Sequence, residues 1–117
     1  MLLKVALIQG MFYLMTGLWP LIDIDSFQLV TGPKTDLWLV RTVGVLVAVI
    51  GSVLLSASLR RRVTAEIVML GVGSALGLAA IDLIYALSGR ISAIYLADAA
   101  VEVLLAALWL IGRARAR

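Results

Sequence analysis

The sequence predicts an all-α integral membrane protein, with four transmembrane helices in an up-down-up-down bundle and a short interfacial helix between the first and second. Three observations carry that fold class. Hydrophobic residues make up 63% of the 117 positions and the mean hydropathy is +1.12, against about 45–50% apolar content in an ordinary soluble domain. The apolar residues fall into four runs of the ~20 residues a helix needs to cross a bilayer. Basic residues gather at the ends of those runs, where membrane topology places them. Four spans and their connections use up the length, so residues 1–117 read as a single transmembrane domain.

Helix 1 covers Met1 to Ile22. Its single early charge, Lys4, gives it the look of a secretory leader, but no small-x-small cleavage site follows and the run ends in Trp19-Pro20, so it reads as a retained span. Gln9, Tyr13 and Thr16 lie at i, i+4, i+7 and share one face, either a hydrogen-bonded seam between helices or a cavity wall. Asp23 to Thr35 is the longest polar connection. Asp25 with Gln28 fits a capping box, and Gly32-Pro33 stops any helix begun there, which predicts one or two interfacial turns. Thr35 is then the expected N-cap of helix 2, with Asp36 in its first turn.

Helix 2 runs from about Asp36 to Leu59, with Arg41 as the one charge inside its apolar run. Arg41 is ~6–8 Å below the start of the helix and can snorkel to the interface or turn inward. Gly44 and Gly51, a heptad apart, give another helix room to come close. Arg60-Arg61-Arg62 follows as a basic turn. Helix 3, about Val63 to Leu87, carries Glu66 near its start, a Gly73-x-x-x-Gly77 contact motif, and Asp82 and Tyr85 near its far end. The tight Ser88-Gly89-Arg90 turn makes helices 3 and 4 antiparallel neighbours. Helix 4, Ile91 to Leu110, holds Tyr95, Asp98 and Glu102 at i, i+3, i+7, one polar stripe on an apolar helix. A basic tail, Arg113 to Arg117, ends the chain.

Lys4, Arg60, Arg61, Arg62, Arg113, Arg115 and Arg117 lie on the side of the termini, and Lys34, Arg41 and Arg90 on the other. The bias predicts a multi-pass protein with both termini in the cytoplasm. It also accounts for the net charge of +3, which makes the lipid bilayer the expected partner and nucleic acid not one.

In antiparallel helices the polar residues collect in the outer half. Arg41, Asp82 and Tyr85 lie in the outermost turn or two, Tyr95 and Asp98 at ~6–10 Å, and Glu102 at ~16 Å, near the midplane. Three carboxyl groups face one certain cation, and Arg41 can pair with Asp98 or Asp82. The surplus calls for a proton, a cation or a cationic ligand, because an isolated ionised carboxylate at membrane depth is expensive. Intramembrane acids are functional-site candidates for that reason. The competing reading is a polar knot that fixes helix packing. Catalysis has little to build on. Cysteine and histidine are absent, which removes thiol chemistry and the usual neutral-pH acid/base and imidazole ligands. No nucleophile–base pair, phosphate loop or metal-ligand set accompanies the acids, and no cofactor is indicated.

Leu18-Trp19-Pro20, Phe27, Thr31 to Lys34, then Trp38, Arg41 and Gly44 resemble the small four-helix bacterial membrane proteins loosely grouped as DoxX-like. The similarity covers roughly the first half of the chain. It implies a four-helix fold in a bacterial inner membrane and, by analogy with some relatives, a quinone-linked subunit role. Two functions follow from the sequence as a whole. One is an outward-facing acidic pocket that binds or transports a small ligand, cation or proton, formed by Gln9, Tyr13, Thr16, Arg41, Asp82, Tyr85, Tyr95, Asp98 and Glu102. The other is a helical partner in a homodimer or larger membrane complex.

Overall fold

The computed structural model describes residues 1–116; Arg117, counted above in the basic tail, lies outside them. The described chain is all-helical: α1 (Leu2–Ile22), α2 (Ile24–Thr31), α3 (Leu37–Leu59), α4 (Ala65–Leu87) and α5 (Ile94–Arg115). All but α2 are long and apolar enough to span a membrane. At ~1.5 Å per residue each long helix matches the ~30 Å hydrocarbon core. The chain is therefore a multi-pass membrane protein in contact with lipid, and α2 is the interfacial helix between the first two spans.

The helices associate as two antiparallel pairs, α1 with α3 and α4 with α5, and α1 also packs on α5. Lipid tails are as apolar as leucine, so helices in a bilayer are held by close packing and hydrogen bonds more than by the hydrophobic effect. The first pair relies on glycine. A Cβ added to Gly10 would lie 2.7 Å from Leu55 N and 2.9 Å from Gly51 O, and one on Gly17 2.5 Å from Ala48 N and 2.6 Å from Gly44 O. Two glycines a heptad apart on α1 thus meet two glycines a heptad apart on α3, backbone against backbone. The expected role of Gly44 and Gly51 holds, and their partners Gly10 and Gly17 are the half that sequence reasoning missed. Gly73 and Gly77 behave differently, since nothing lies within 4 Å of a Cβ at either position. The small-residue motif of helix 3 makes no contact among the described residues.

The second pair closes around Trp109. Its indole occupies the space over Gly71, where a side chain would collide with it, and it belongs to a buried cluster with Val5, Ala6, Leu54 and Val68. Helix α5 continues through Gly112 to Arg115, beyond the expected end at Leu110. Gly112 faces Leu2 and Met1, so the added turn is packed against the start of α1.

Local signals at the helix ends are shifted from those expected. The cap of α2 is Asp23, whose Oδ1 accepts from Ser26 N–H at 3.3 Å, rather than Asp25. Gln28 does not return to the cap; its Oε1 accepts from Lys34 N–H at 3.0 Å and folds the following loop back. Gly32, at φ +100°, ends α2 in a conformation that suits glycine. Asp36, not Thr35, occupies the cap position of α3, without a side-chain bond. Thr64 caps α4 through Ile67 N–H at 3.3 Å. Between α3 and α4, Arg61 takes the left-handed conformation (φ 55°) and Arg62 N–H reaches Ala57 O at 2.9 Å, a helix stop usually built on glycine.

Candidate functional site

A cavity of about 540 Å³ lies beneath α2, bounded by α1, α3, α4 and α5. Helix α2 is folded over its end. Trp19 Nε1 donates to Ser26 Oγ at 2.8 Å, and the Trp19 and Phe27 rings meet edge to face with centroids 5.3 Å apart. Lys34 completes the cover. Its Nζ donates to Gly32 O at 2.9 Å, Thr31 O at 3.1 Å and Thr31 Oγ1 at 3.2 Å, and stands 5.3 Å from the Tyr95 ring centroid and 5.7 Å from that of Phe27. Those bonds use all three ammonium donors.

The walls are mostly apolar, with Phe12 from α1, Val40, Val43 and Val47 from α3, and Ile94 and Val101 from α5. Acid enters from α4 and α5 alone, as Asp82, Asp98 and Glu102. Glu102 is 1% exposed, and its Oε2 accepts from Tyr13 Oη at 2.5 Å; Tyr13 is itself 1% exposed. Asp82 is 5% exposed, and its Oδ2 is buried without a hydrogen-bond partner among the described residues. The half-buried Asp98 carboxyl lies within hydrogen-bonding reach of Asp82, and Glu102 is near enough to act on both electrostatically. Three carboxyl groups thus share one wall.

No family model matches the chain, and neither does any curated protein or solved structure. The site has to be read from its own geometry.

Of the residues expected to act together, the structure gathers Tyr13, Thr16, Asp82, Tyr95, Asp98 and Glu102 around the cavity. Thr16 spends its hydroxyl on Phe12 O at 2.8 Å, within its own helix. Gln9 sits one turn deeper, outside the lining. There Gln9 Oε1 accepts from Trp109 Nε1 at 2.5 Å while its Nε2 donates to Gly71 O at 3.0 Å and Ser74 Oγ at 3.3 Å. Gln9 therefore ties α1 to α4 and α5 as a packing seam, one of the two roles its face allowed.

Arg41 and Tyr85 do not join the site. Both are exposed and outside the lining, so the expected pairing of Arg41 with Asp82 or Asp98 is not made. The cause is the rotation of α3. Gly44 and Gly51 are pinned against α1, which sets Val47 about 60° to one side of the glycine line and Arg41 about 60° to the other. Val47 faces the cavity and Arg41 faces out. The cation at the cavity is Lys34, which sequence reasoning counted toward topology and the family resemblance but not toward the site. Trp109 and Ser74 were missed as well. A signal for Trp109 existed, since it follows Glu102 by seven residues and continues the same face of α5.

Proposed function

We propose that this chain is a bacterial inner-membrane protein, with both termini cytoplasmic, whose acidic intramembrane cavity binds or moves a small ligand, a cation or a proton. The observation that carries the reading is Asp82. A knot that served packing alone would satisfy its members, as Gln9 with Trp109 and Glu102 with Tyr13 are satisfied. Asp82 is buried beside another acid, with one oxygen unpaired in the wall of a cavity. A buried carboxyl left in that state is costly, and a proton or a cation relieves it. The resemblance to DoxX-like proteins supports the bacterial inner membrane, and the distribution of Lys and Arg supports the orientation.

The test is infrared difference spectroscopy of the protein in lipid nanodiscs across a pH series. The expected result is a carboxyl band that changes with pH and that Asp82→Asn or Asp98→Asn removes in part, with helical content unchanged. A spectrum with no titrating buried carboxyl sinks the proposal.

A second reading, a helical partner subunit of a larger membrane complex, is favoured by one observation. Gly73 and Gly77 present an uncovered small-residue face on α4, the kind of surface on which another span can pack.

A further inference from the structure

We infer that the cavity takes a lipophilic organic cation, an ammonium-type centre on an apolar body, which enters sideways from the bilayer between α3 and α5. The inference rests on the binding-site reading above and names its ligand class.

The entry follows from the packing. α3 is held by α1, α5 is held by α4 and α1, and α3 and α5 do not form a packed pair. Leu39 and Val43 on the α3 edge, with Ile94 and Val101 on the α5 edge, line the cavity and are exposed at the same time. A residue can do both only at an opening. The opening is apolar and lies along membrane-spanning helices, so it faces lipid. The end of the cavity is covered by α2 through the Trp19–Phe27 contact and the Lys34 clamp, with Val30 of α2 exposed at the rim. A ligand that arrives through an apolar side gap must already be dissolved in the bilayer.

The interior decides its charge. The ionisable groups that face the cavity are Asp82, Asp98 and Glu102, with Tyr13, Tyr95 and Lys34. Tyr13 has given its proton to a hydrogen bond with Glu102, and Lys34 has all three donors on Thr31 and Gly32. Among the described residues the Tyr95 hydroxyl is the cavity-facing donor left without a hydrogen bond, and the three acids beside it disfavour an anion. A neutral apolar molecule leaves Asp82 Oδ2 as unpaired as before. A small inorganic cation such as Mg²⁺ or Ca²⁺ wants about six or more oxygen ligands and keeps its waters, and among the described residues the three carboxyl groups are not gathered closely enough to hold one ion together. An organic cation meets every condition, with its charge against the Asp82–Asp98 pair and its body against Phe12, Val43 and Val47. The volume of about 540 Å³ falls in the ~300–1,000 Å³ range of small-molecule sites.

The test uses three phenyl-bearing probes in phosphatidylcholine nanodiscs, with empty nanodiscs subtracted. They are tetraphenylphosphonium (cation), tetraphenylborate (anion) and triphenylphosphine oxide (neutral). Tetraphenylphosphonium is expected to bind at least about tenfold tighter than either of the others. Asp82→Asn and Asp98→Asn should each erase that preference. Because cation and proton compete for the same carboxyl groups, tetraphenylphosphonium binding to the native protein should weaken as the pH falls. Leu39→Trp, at the opening and apart from the residues that hold the cation's body, should slow association and leave the charge preference intact. Equal binding of the three probes, or cation binding that is flat with pH, overturns the inference, and the pH series decides even if an Asn variant fails to fold. If the carboxyl band titrates but the neutral probe wins, the site stands and this ligand class falls. If no carboxyl titrates, both fall.

Discussion

Glu102 and Asp82 are both carboxylic acids closed off from solvent, yet they differ in what meets them. Depth and charge count in the sequence single out Glu102 as the group most in need of a partner. In the fold it already has one, the Tyr13 hydroxyl at 2.5 Å, and the acid without a complete set of partners is Asp82. Removal of the Tyr13 hydroxyl makes this difference measurable. Tyr13→Phe leaves Glu102 buried and unsatisfied, a loss of about 1–3 kcal/mol, whereas Tyr13→Phe with Glu102→Leu removes both ends and should recover a large part of it. Glu102→Gln keeps an acceptor for Tyr13 and should fold like the native protein. Thermal unfolding of the reconstituted variants checks all three, and equal destabilisation by the single and double changes would show that the pair does not act as a unit. The stripe Tyr95, Asp98 and Glu102 was legible because i, i+3, i+7 spacing fixes a shared face whatever the tertiary structure. Whether a given acid on that face finds a hydroxyl across the bundle depends on which helix packs opposite, which spacing within one helix does not encode.

Helices in this chain are positioned by glycine, and the same residue type shows both how much and how little a motif reveals. Gly44 and Gly51 were readable as a close-contact line, but Gly10 and Gly17, with the same seven-residue spacing on α1, escaped notice beside the polar face of Gln9, Tyr13 and Thr16. Gly73-x-x-x-Gly77 was equally readable and makes no internal contact. A small-residue pattern states that a close approach is permitted on that face, and only the fold states whether one occurs. The consequence of the true contact reaches the site, because the glycine line sets the rotation that turns Val47 toward the cavity, Val43 to its open edge and Arg41 outward. Gly17→Val would place a Cβ 2.5 Å from Ala48 N and 2.6 Å from Gly44 O, contacts with backbone that cannot give way without α1 and α3 moving apart. The expected outcome is loss of folded protein. Gly73→Ala and Gly77→Ala meet nothing and should stabilise α4 by up to ~1 kcal/mol each through helix propensity. Expression and melting temperature of the three variants, measured side by side, separate the two kinds of glycine, and a tolerated Gly17→Val would refute the backbone contact.

For the whole molecule, the cavity determines how far one chain suffices. The described walls of the acidic site come from α1 to α5 of one chain, with Trp109 and Gln9 packed on the side of the termini, α2 and Lys34 on the other, and the side between α3 and α5 open. The expected outcome on that geometry is a site complete within one chain. The uncovered Gly73 and Gly77 face lies on α4, while Asp82, Asp98 and Glu102 line the cavity, so a partner docked on the glycine face would leave the cavity and its α3–α5 opening untouched. Substitution with leucine on that face therefore separates the two readings of the protein. With a self-contained site, Gly73→Leu and Gly77→Leu together should leave the particle mass in detergent, measured by light scattering, equal to that of the native monomer, with the carboxyl band and tetraphenylphosphonium binding unchanged. A native particle larger than a monomer that drops to monomer on the double substitution would make α4 an assembly surface. If the carboxyl band vanished with it, the site would depend on assembly, and the self-contained reading would have to be abandoned.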